Sequence, residues 1–221
     1  MKFFRKWLIR LVLGWVVLTA LLVVPLRWID PPTTAFMLGD RLLNDRPVDH
    51  RPVAPERISR HLALAVVASE DQNFPNHWGF DTREIRRALE EYQQNGQLRG
   101  ASTITQQLAK NLYLWPAQSW MRKGIESWFT AWLELCLPKR RILDIYLNIV
   151  EFDDGVYGAE AGAQHYFDTS AAALTRSQSA LLAAVLPAPK RYNAAAPDAY
   201  LLERRQWILG QMQNLGEGWV P

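Results

Sequence analysis

The sequence predicts a mainly α-helical domain carried behind one N-terminal membrane helix. A basic flank runs into a long uncharged apolar stretch, capping signals and Gly or Pro stops mark out a succession of helices, and period-two alternation is nearly absent. With 49% hydrophobic and 21% charged residues among 221, the composition is that of one globular domain and excludes a disordered or fibrous chain.

The basic flank, residues 1–10, holds Lys2, Arg5, Lys6 and Arg10 and no acid. Without these four the chain has 21 basic and 22 acidic residues, so its +3 net charge describes an N-terminal tail and not a nucleic-acid surface. The apolar run LVLGWVVLTALLVVPL, Leu11 to Leu26, spans about 24 Å as a helix. With Arg10 snorkelling, the span from Trp7 to Trp28 reaches about 33 Å and carries a tryptophan at each interface. Thr33-Thr34-Ala35 is a poor signal-peptidase site and lies well past the run, so residues 11–28 are expected to be an uncleaved anchor. Four positive charges before the span against Arg27 after it place the N-terminus in the cytoplasm.

Residues 29–54, with Pro31, Pro32, Pro47 and Pro52, read as an irregular linker, and a domain over 55–215 follows. Ile58, Leu62, Ala65 and Val66 keep helical spacing up to Glu70. Asp81-Thr82-Arg83-Glu84 has capping-box spacing and opens a helix that stops near Asn95-Gly96. Further helices are expected at 103–113, 119–137, 139–151, 155–167, 176–186 and 197–214, with a second capping box at Thr175–Gln178 and stops at Pro187 and Pro189. Cys136, the only cysteine, allows no internal disulfide and reads as a small buried hydrophobe. Asp153-Asp154 reads as a turn, and His50, His61 and His165 as satisfied or surface histidines.

Three stretches could carry chemistry. EDQNFPNHWGFD, 70–81, puts Glu70 and Asp71 at a helix C-terminus, where the dipole opposes them, and surrounds them with Phe74, His77, Trp78 and Phe80. Apolar walls raise a carboxyl pKa and make a better proton acceptor. GASTITQQLAKN, 100–111, is a loop capped by Ser102 or Thr103 that enters a helix with Thr103, Gln106, Gln107, Lys110 and Asn111 on one face. Amides and hydroxyls suit a sugar, while the helix N-terminus and Lys110 suit an anion. In SWMRKGIE, 119–126, Arg122 and Glu126 stand at i, i+4 with Lys123 beside them, the spacing of an ordinary ion pair or of a phosphate clamp next to a second acid.

In this order, and followed by KRRILDIYLN at 139–148 and GVYGAEAGAQHYF at 155–167, these blocks resemble the glycosyltransferase family of peptidoglycan polymerases, whose α fold is lysozyme-like. No serine is followed three positions later by lysine, so the chain resembles the monofunctional biosynthetic branch and not the penicillin-binding one. The resemblance implies polymerisation of lipid II into β-1,4-linked glycan strands with inversion and release of polyprenyl diphosphate. It implies Glu70 as the catalytic base and Glu126 as the second acid. Lys110, Arg122 and Lys123 would stand near the diphosphate, and Asp71, Phe74, His77, Ser102, Thr103 and Gln107 would line the cleft. A divalent cation, Mg or Mn, is expected at the diphosphate without a dedicated protein cage. The implied partners are lipid II, the growing strand, the membrane, and cell-wall synthases or divisome proteins. The implied location is the bacterial inner membrane with the domain periplasmic. A glycan-cleaving lytic transglycosylase and a catalytically weak cell-wall scaffold are the competing readings. Three positions depart from the family pattern: Gln118 where arginine is usual, Asp144 where glutamate is usual, and Asp153 where glycine is common.

Overall fold

The computed structural model describes residues 2–96, 100–117, 119–216 and 218; Gln118 lies outside them. The anchor α1 (Lys2–Val23) continues into a 3-10 turn at Val24–Arg27, and 3–27 is long and apolar enough to cross a membrane. The C-terminal half of α1 docks on the domain. Thr19 and Val23 are buried, the Trp128 indole donates to Thr19 Oγ1 (3.0 Å), and Tyr113 Oη donates to the Leu22 carbonyl (3.1 Å). Arg141 closes the junction, with Nε on the Leu26 carbonyl and Nη1 on Asp30, both at 2.7 Å.

The 29–54 segment is not an irregular linker throughout. It forms α2 (Ala35–Leu42), capped by Thr34, whose hydroxyl accepts from Met37 N, and the short strand β1 (Asp49–His50). Helix α2 buries Met37 and Asp40 against α5 (Ile104–Tyr113). The buried Asp40 accepts from Tyr157 Oη (2.6 Å) and from Asn44 Nδ2 (2.9 Å), which ties the segment to the far end of the domain.

The core is built around α3 (Arg60–Glu70), which packs against α9 (Arg176–Val185) and α10 (Ala199–Leu215). Residues Leu62 to Ala68 are buried without interruption, so α3 is enclosed on every side, as expected of a central helix. Ser59 caps it, and its hydroxyl also donates to the Leu174 carbonyl. A second layer consists of α5, α6 (Trp120–Cys136) and α7 (Lys139–Ile149), while α4 (Thr82–Asn95) buries only Ala88. The caps expected at Asp81 and Thr175 form, the latter with the full reciprocal box.

Two helices are shorter than the spacing predicts. Residues at 151–157 form β2 (Glu151–Asp153) and β3 (Val156–Tyr157) in a three-stranded sheet of order β1-β3-β2, with β1 parallel and β2 antiparallel to β3. Helix α8 (Ala159–Phe167) starts only at Ala159, because Gly158 takes φ +86° and a Cβ there would meet the Asn148 carbonyl at 2.4 Å. His50 and His165 are satisfied, by the Asn148 carbonyl (3.0 Å) and Asp153 (2.9 Å) respectively.

Candidate active site

Glu70 ends α3 and Gln107 lies on the second turn of α5, and the two meet across the layers. Gln107 Nε2 donates to Glu70 Oε2 (2.8 Å), and Ser69 Oγ donates to Oε1 (3.2 Å). Both direct donors are neutral. Burial raises the Glu70 carboxyl above its ordinary value; the Gln107 and Ser69 bonds and the Arg204 charge pull it down, and Asp71 adds to the rise. Arg204 reaches over from α10, with Nη2 on the Ser69 carbonyl (3.3 Å).

Asp71, Phe74 and His77, expected to line the cleft, are all buried. His77 Nε2 lies 2.9 and 3.1 Å from the two Asp71 oxygens, and Asp71 Oδ2 accepts from the Ile104 amide (3.1 Å). Asp71 therefore satisfies an orphan donor at the start of α5 and pins that helix to the end of α3. Phe74 is fully enclosed, and the Lys139 ammonium stands 4.5 Å from its ring centroid. These three side chains hold the loop, and His77 Nδ1 is buried with no hydrogen-bond partner among the described residues.

The polar run 100–111 divides its tasks more finely than its spacing suggests. Thr103 and Gln106 form a capping box and are spent on the helix terminus. Thr103 Oγ1 also donates to the Gly79 carbonyl (2.7 Å). Gly79 has φ +75°, and a Cβ there would lie 2.6 Å from Thr130 Cγ2, so glycine is required for the loop to approach α6. Asn111 is buried, and Ser102 is exposed. Gln107 and Lys110 remain partly exposed.

On α6, capped by Ser119, Glu126 is almost wholly buried and doubly ion-paired. Arg122 Nη1 donates to Oε2 (2.7 Å) and Lys123 Nζ to Oε1. Arg122 Nε donates to the Ala117 carbonyl (2.6 Å), which leaves this buried guanidinium little freedom to clamp a ligand. Lys123, about 38% exposed, also donates to Ser102 Oγ (3.2 Å) and links α6 to the loop before α5. Lys110 differs from both. Among the described residues no carboxylate lies within ion-pair distance of it, and its ammonium stands 5.5 Å from the Phe36 ring centroid. Burial lowers its pKa, Glu126 opposes the shift, Arg122 and Lys123 add to it, and Glu70 opposes it. Lys110 is thus in electrostatic reach of both acids, Glu70 and Glu126.

Among the described residues two groups have ligand atoms close enough to share a cation, Asp71–His77–Asp81 and Asp40–Glu151–Asp154. Neither fits a metal at this site. The Asp81 and Asp71 oxygens already accept from Arg83, Glu84, Ile104, Asn73 and His77, and Lys190 stands 3.0 Å from both Glu151 and Asp154 as the cation of the second group.

Sequence spacing missed three participants. Tyr146 is fully buried and donates from Oη to Gln107 Oε1 (2.7 Å). Glu134 accepts from Thr105 Oγ1 (2.6 Å) and Lys139 Nζ (2.7 Å) beneath the Gly79 turn, and Arg204 contacts Ser69 from the last helix. Helical periodicity marks such positions only as core or surface. Their pairing is long-range and has no local signature.

The transglycosylase family model matches residues 39–213. The chain belongs to the transglycosylase family. Its relatives include biosynthetic peptidoglycan transglycosylases of Ectopseudomonas mendocina, 51% identical over 92% of this chain and 87% of that protein, and of Shewanella oneidensis, 50% identical over 96% and 92%. A third, from Pseudomonas fluorescens, is 46% identical over 98% of this chain and 92% of its own length. The family match begins inside α2, in keeping with the packing of that helix on the domain. The lysozyme-like α fold expected from the sequence is the fold of this family.

Proposed function

We propose that this membrane-anchored transglycosylase polymerises lipid II into β-1,4-linked glycan strands. The observation that carries the reading is a carboxylate held by neutral donors, with its pKa raised by burial, in electrostatic reach of a lysine that has no ionic partner among the described residues. Glu70 takes the proton of the acceptor 4-hydroxyl as that oxygen attacks the anomeric carbon of the donor. The C1–O4 bond forms on the face opposite the breaking C1–O(diphosphate) bond, so the centre inverts, and the proton leaves Glu70 to water before the next addition. An alcohol is a weak nucleophile, and a positioned base contributes about 10²–10⁴-fold. The charge that develops on the leaving diphosphate meets Lys110 first, with Lys123 at the edge of the site. Glu126 keeps Arg122 and Lys123 in place. Arg122 and Lys123 being paired with Glu126, the diphosphate draws mainly on Lys110. A divalent cation, where one takes part, arrives with the diphosphate and not in a protein cage.

The substrate class also accounts for the docked anchor. A cavity of about 200 Å³ lined by Leu22, Pro25, Leu26, Ile29, Leu112 and Tyr113 lies between the end of the membrane helix and the end of α5, one turn beyond Lys110. A lipid-linked donor would thus keep its tail beside the bilayer while its diphosphate reaches the lysine. The charge asymmetry around α1 orients the N-terminus to the cytoplasm and the domain to the periplasmic face of the inner membrane.

Purified full-length protein, given lipid II in one reaction and finished glycan strands in another, is expected to lengthen the first and leave the second intact. Shortening of strands with no polymerisation of lipid II would overturn the assignment in favour of a cleaving enzyme. A parallel series with chelator and with added Mg or Mn tests the cation, since loss of activity on chelation and recovery on readdition are expected only if the metal accompanies the substrate.

A further inference from the structure

Gln107 can hold Glu70 in two ways. With its NH₂ toward the carboxylate it favours the ionised base; with its carbonyl toward Glu70 it would favour a protonated acid, because only a COOH could donate to it. An amide side chain exchanges these ends by one rotation, so another group must decide between them. The structure supplies one. Tyr146 on α7 is fully buried, and Gln107 Oε1 is the acceptor of its hydroxyl at 2.7 Å. Flipping the amide would face Nε2 to Oη and leave the phenol proton buried with no acceptor, a configuration that folded proteins avoid.

We propose that Tyr146 is a positioning residue of the active site: its hydroxyl fixes the amide of Gln107 so that Glu70 Oε2 always meets a donor. The order Tyr146 Oη–H to Gln107 Oε1, then Gln107 Nε2–H to Glu70 Oε2, runs one way along α7, α5 and α3. Tyr146 cannot reverse it by ionising, since burial and the nearby Glu70 and Asp71 charges hold its pKa well above the ordinary range. The other carboxylate oxygen is held more loosely, by Ser69 at 3.2 Å, so the tighter contact is the one Tyr146 controls. The charged groups around Glu70 are Asp71 next to it, Lys110 from α5 and Arg204 from α10, and none of them touches Gln107 Oε1. This inference rests on Glu70 being the base of the reaction proposed above, but its structural half stands without that reading.

The test is Tyr146→Phe in the full-length protein, read in two ways. In lipid II polymerisation, kcat is expected to fall about tenfold, which is 1.4 kcal/mol, with KM unchanged and the acidic limb of the pH profile moved to higher pH. Gln107→Met should show the same limb shift, and Tyr146→Phe added to Gln107→Met should cost nothing further. The second readout needs no substrate: isotope-edited infrared titration of the Glu70 carboxyl should give a higher pKa in Tyr146→Phe than in the parent. A parent that polymerises no lipid II removes the functional reading and leaves the titration to decide the relay. An unchanged Glu70 titration in Tyr146→Phe, or additive losses in the double variant, overturns the proposal. Should Tyr146→Phe fail to fold, Gln107→Met alone carries the titration, and a Glu70 pKa equal to the parent's overturns it equally.

Discussion

The two acids of the site, Glu70 at the end of α3 and Glu126 on α6, are held in opposite ways. Glu70 has neutral donors on both oxygens, whereas both oxygens of Glu126 are occupied by cations. Neutral donors leave the proton affinity of a carboxylate high, as a base requires. Two cations on one buried carboxylate form an ion-paired strut that holds Arg122 and Lys123 in place. Under the function proposed above, one residue type does proton chemistry in one place and electrostatic scaffolding in the other, and the partners decide which. The variants below probe that division.

Glu70→Gln should have the largest effect, a loss of about 10²–10⁴-fold in polymerisation rate with the fold kept, measured with lipid II. Near wild-type turnover would transfer the base to another group and break the comparison at its root. Glu126→Gln should act on stability first. Removing the charge leaves a buried Arg122 without its anion, and breaking such a pair costs about 3 kcal/mol, so thermal unfolding should fall by roughly 6–12 °C. An unchanged melting temperature with lost activity would instead make Glu126 a chemical participant.

Lys110→Met is expected to lower kcat/KM about tenfold, the loss of one charge-assisted contact to the diphosphate in a partly desolvated site. It also changes the pH profile. Glu70 must be ionised, and its pKa is raised, so activity should rise as pH climbs through that value. Lys110 must be protonated, and its pKa is lowered, so activity should fall as pH climbs through its value. The active window is therefore narrower than the ordinary 4.5 and 10.5 of the two groups would give. Lys110→Met should abolish the alkaline limb and, by removing a nearby positive charge, move the acidic one slightly to higher pH.

Most of this arrangement was legible locally. The helix starts at Asp81, Thr103, Ser119 and Thr175 follow from side-chain oxygens that satisfy orphan amides, an interaction closed within four residues. The same locality explains what was not legible. Helix α2 is eight residues among prolines, too short for periodicity to declare, and its stability comes from α5 some seventy residues on. Strands of two or three residues show no alternation. At the site, the acids and the basic cluster were readable as residues, but the contrast between them was not. It depends on Gln107 reaching Glu70, Tyr146 reaching Gln107, and Lys110 alone among the three cations lacking an anion, all of which are facts of packing.

The smallest effect sharpens the comparison most, because it is a matter of sign. Glu70 has a folded-state pKa above its unfolded value, so the stability it contributes is present at low pH, where it is neutral, and is lost as pH rises through the folded pKa. Above that folded pKa the protein therefore carries an ionised carboxylate that folding disfavours. Glu70→Gln keeps the shape and removes that penalty, so the variant should melt roughly 2–4 °C above the parent at pH 8, the shift that 1 kcal/mol produces in a domain of this size. The gain should shrink toward pH 5. Glu126→Gln should move the other way at both pH values, because its anion is paired and not strained. A catalytic acid kept at a cost to stability and a structural acid kept for stability would then be separated by two melting curves, with no substrate in the tube. If Glu70→Gln melts below the parent at pH 8, the neutral donors hold Glu70 as firmly as the cations hold Glu126, and the division of labour drawn from their partners fails.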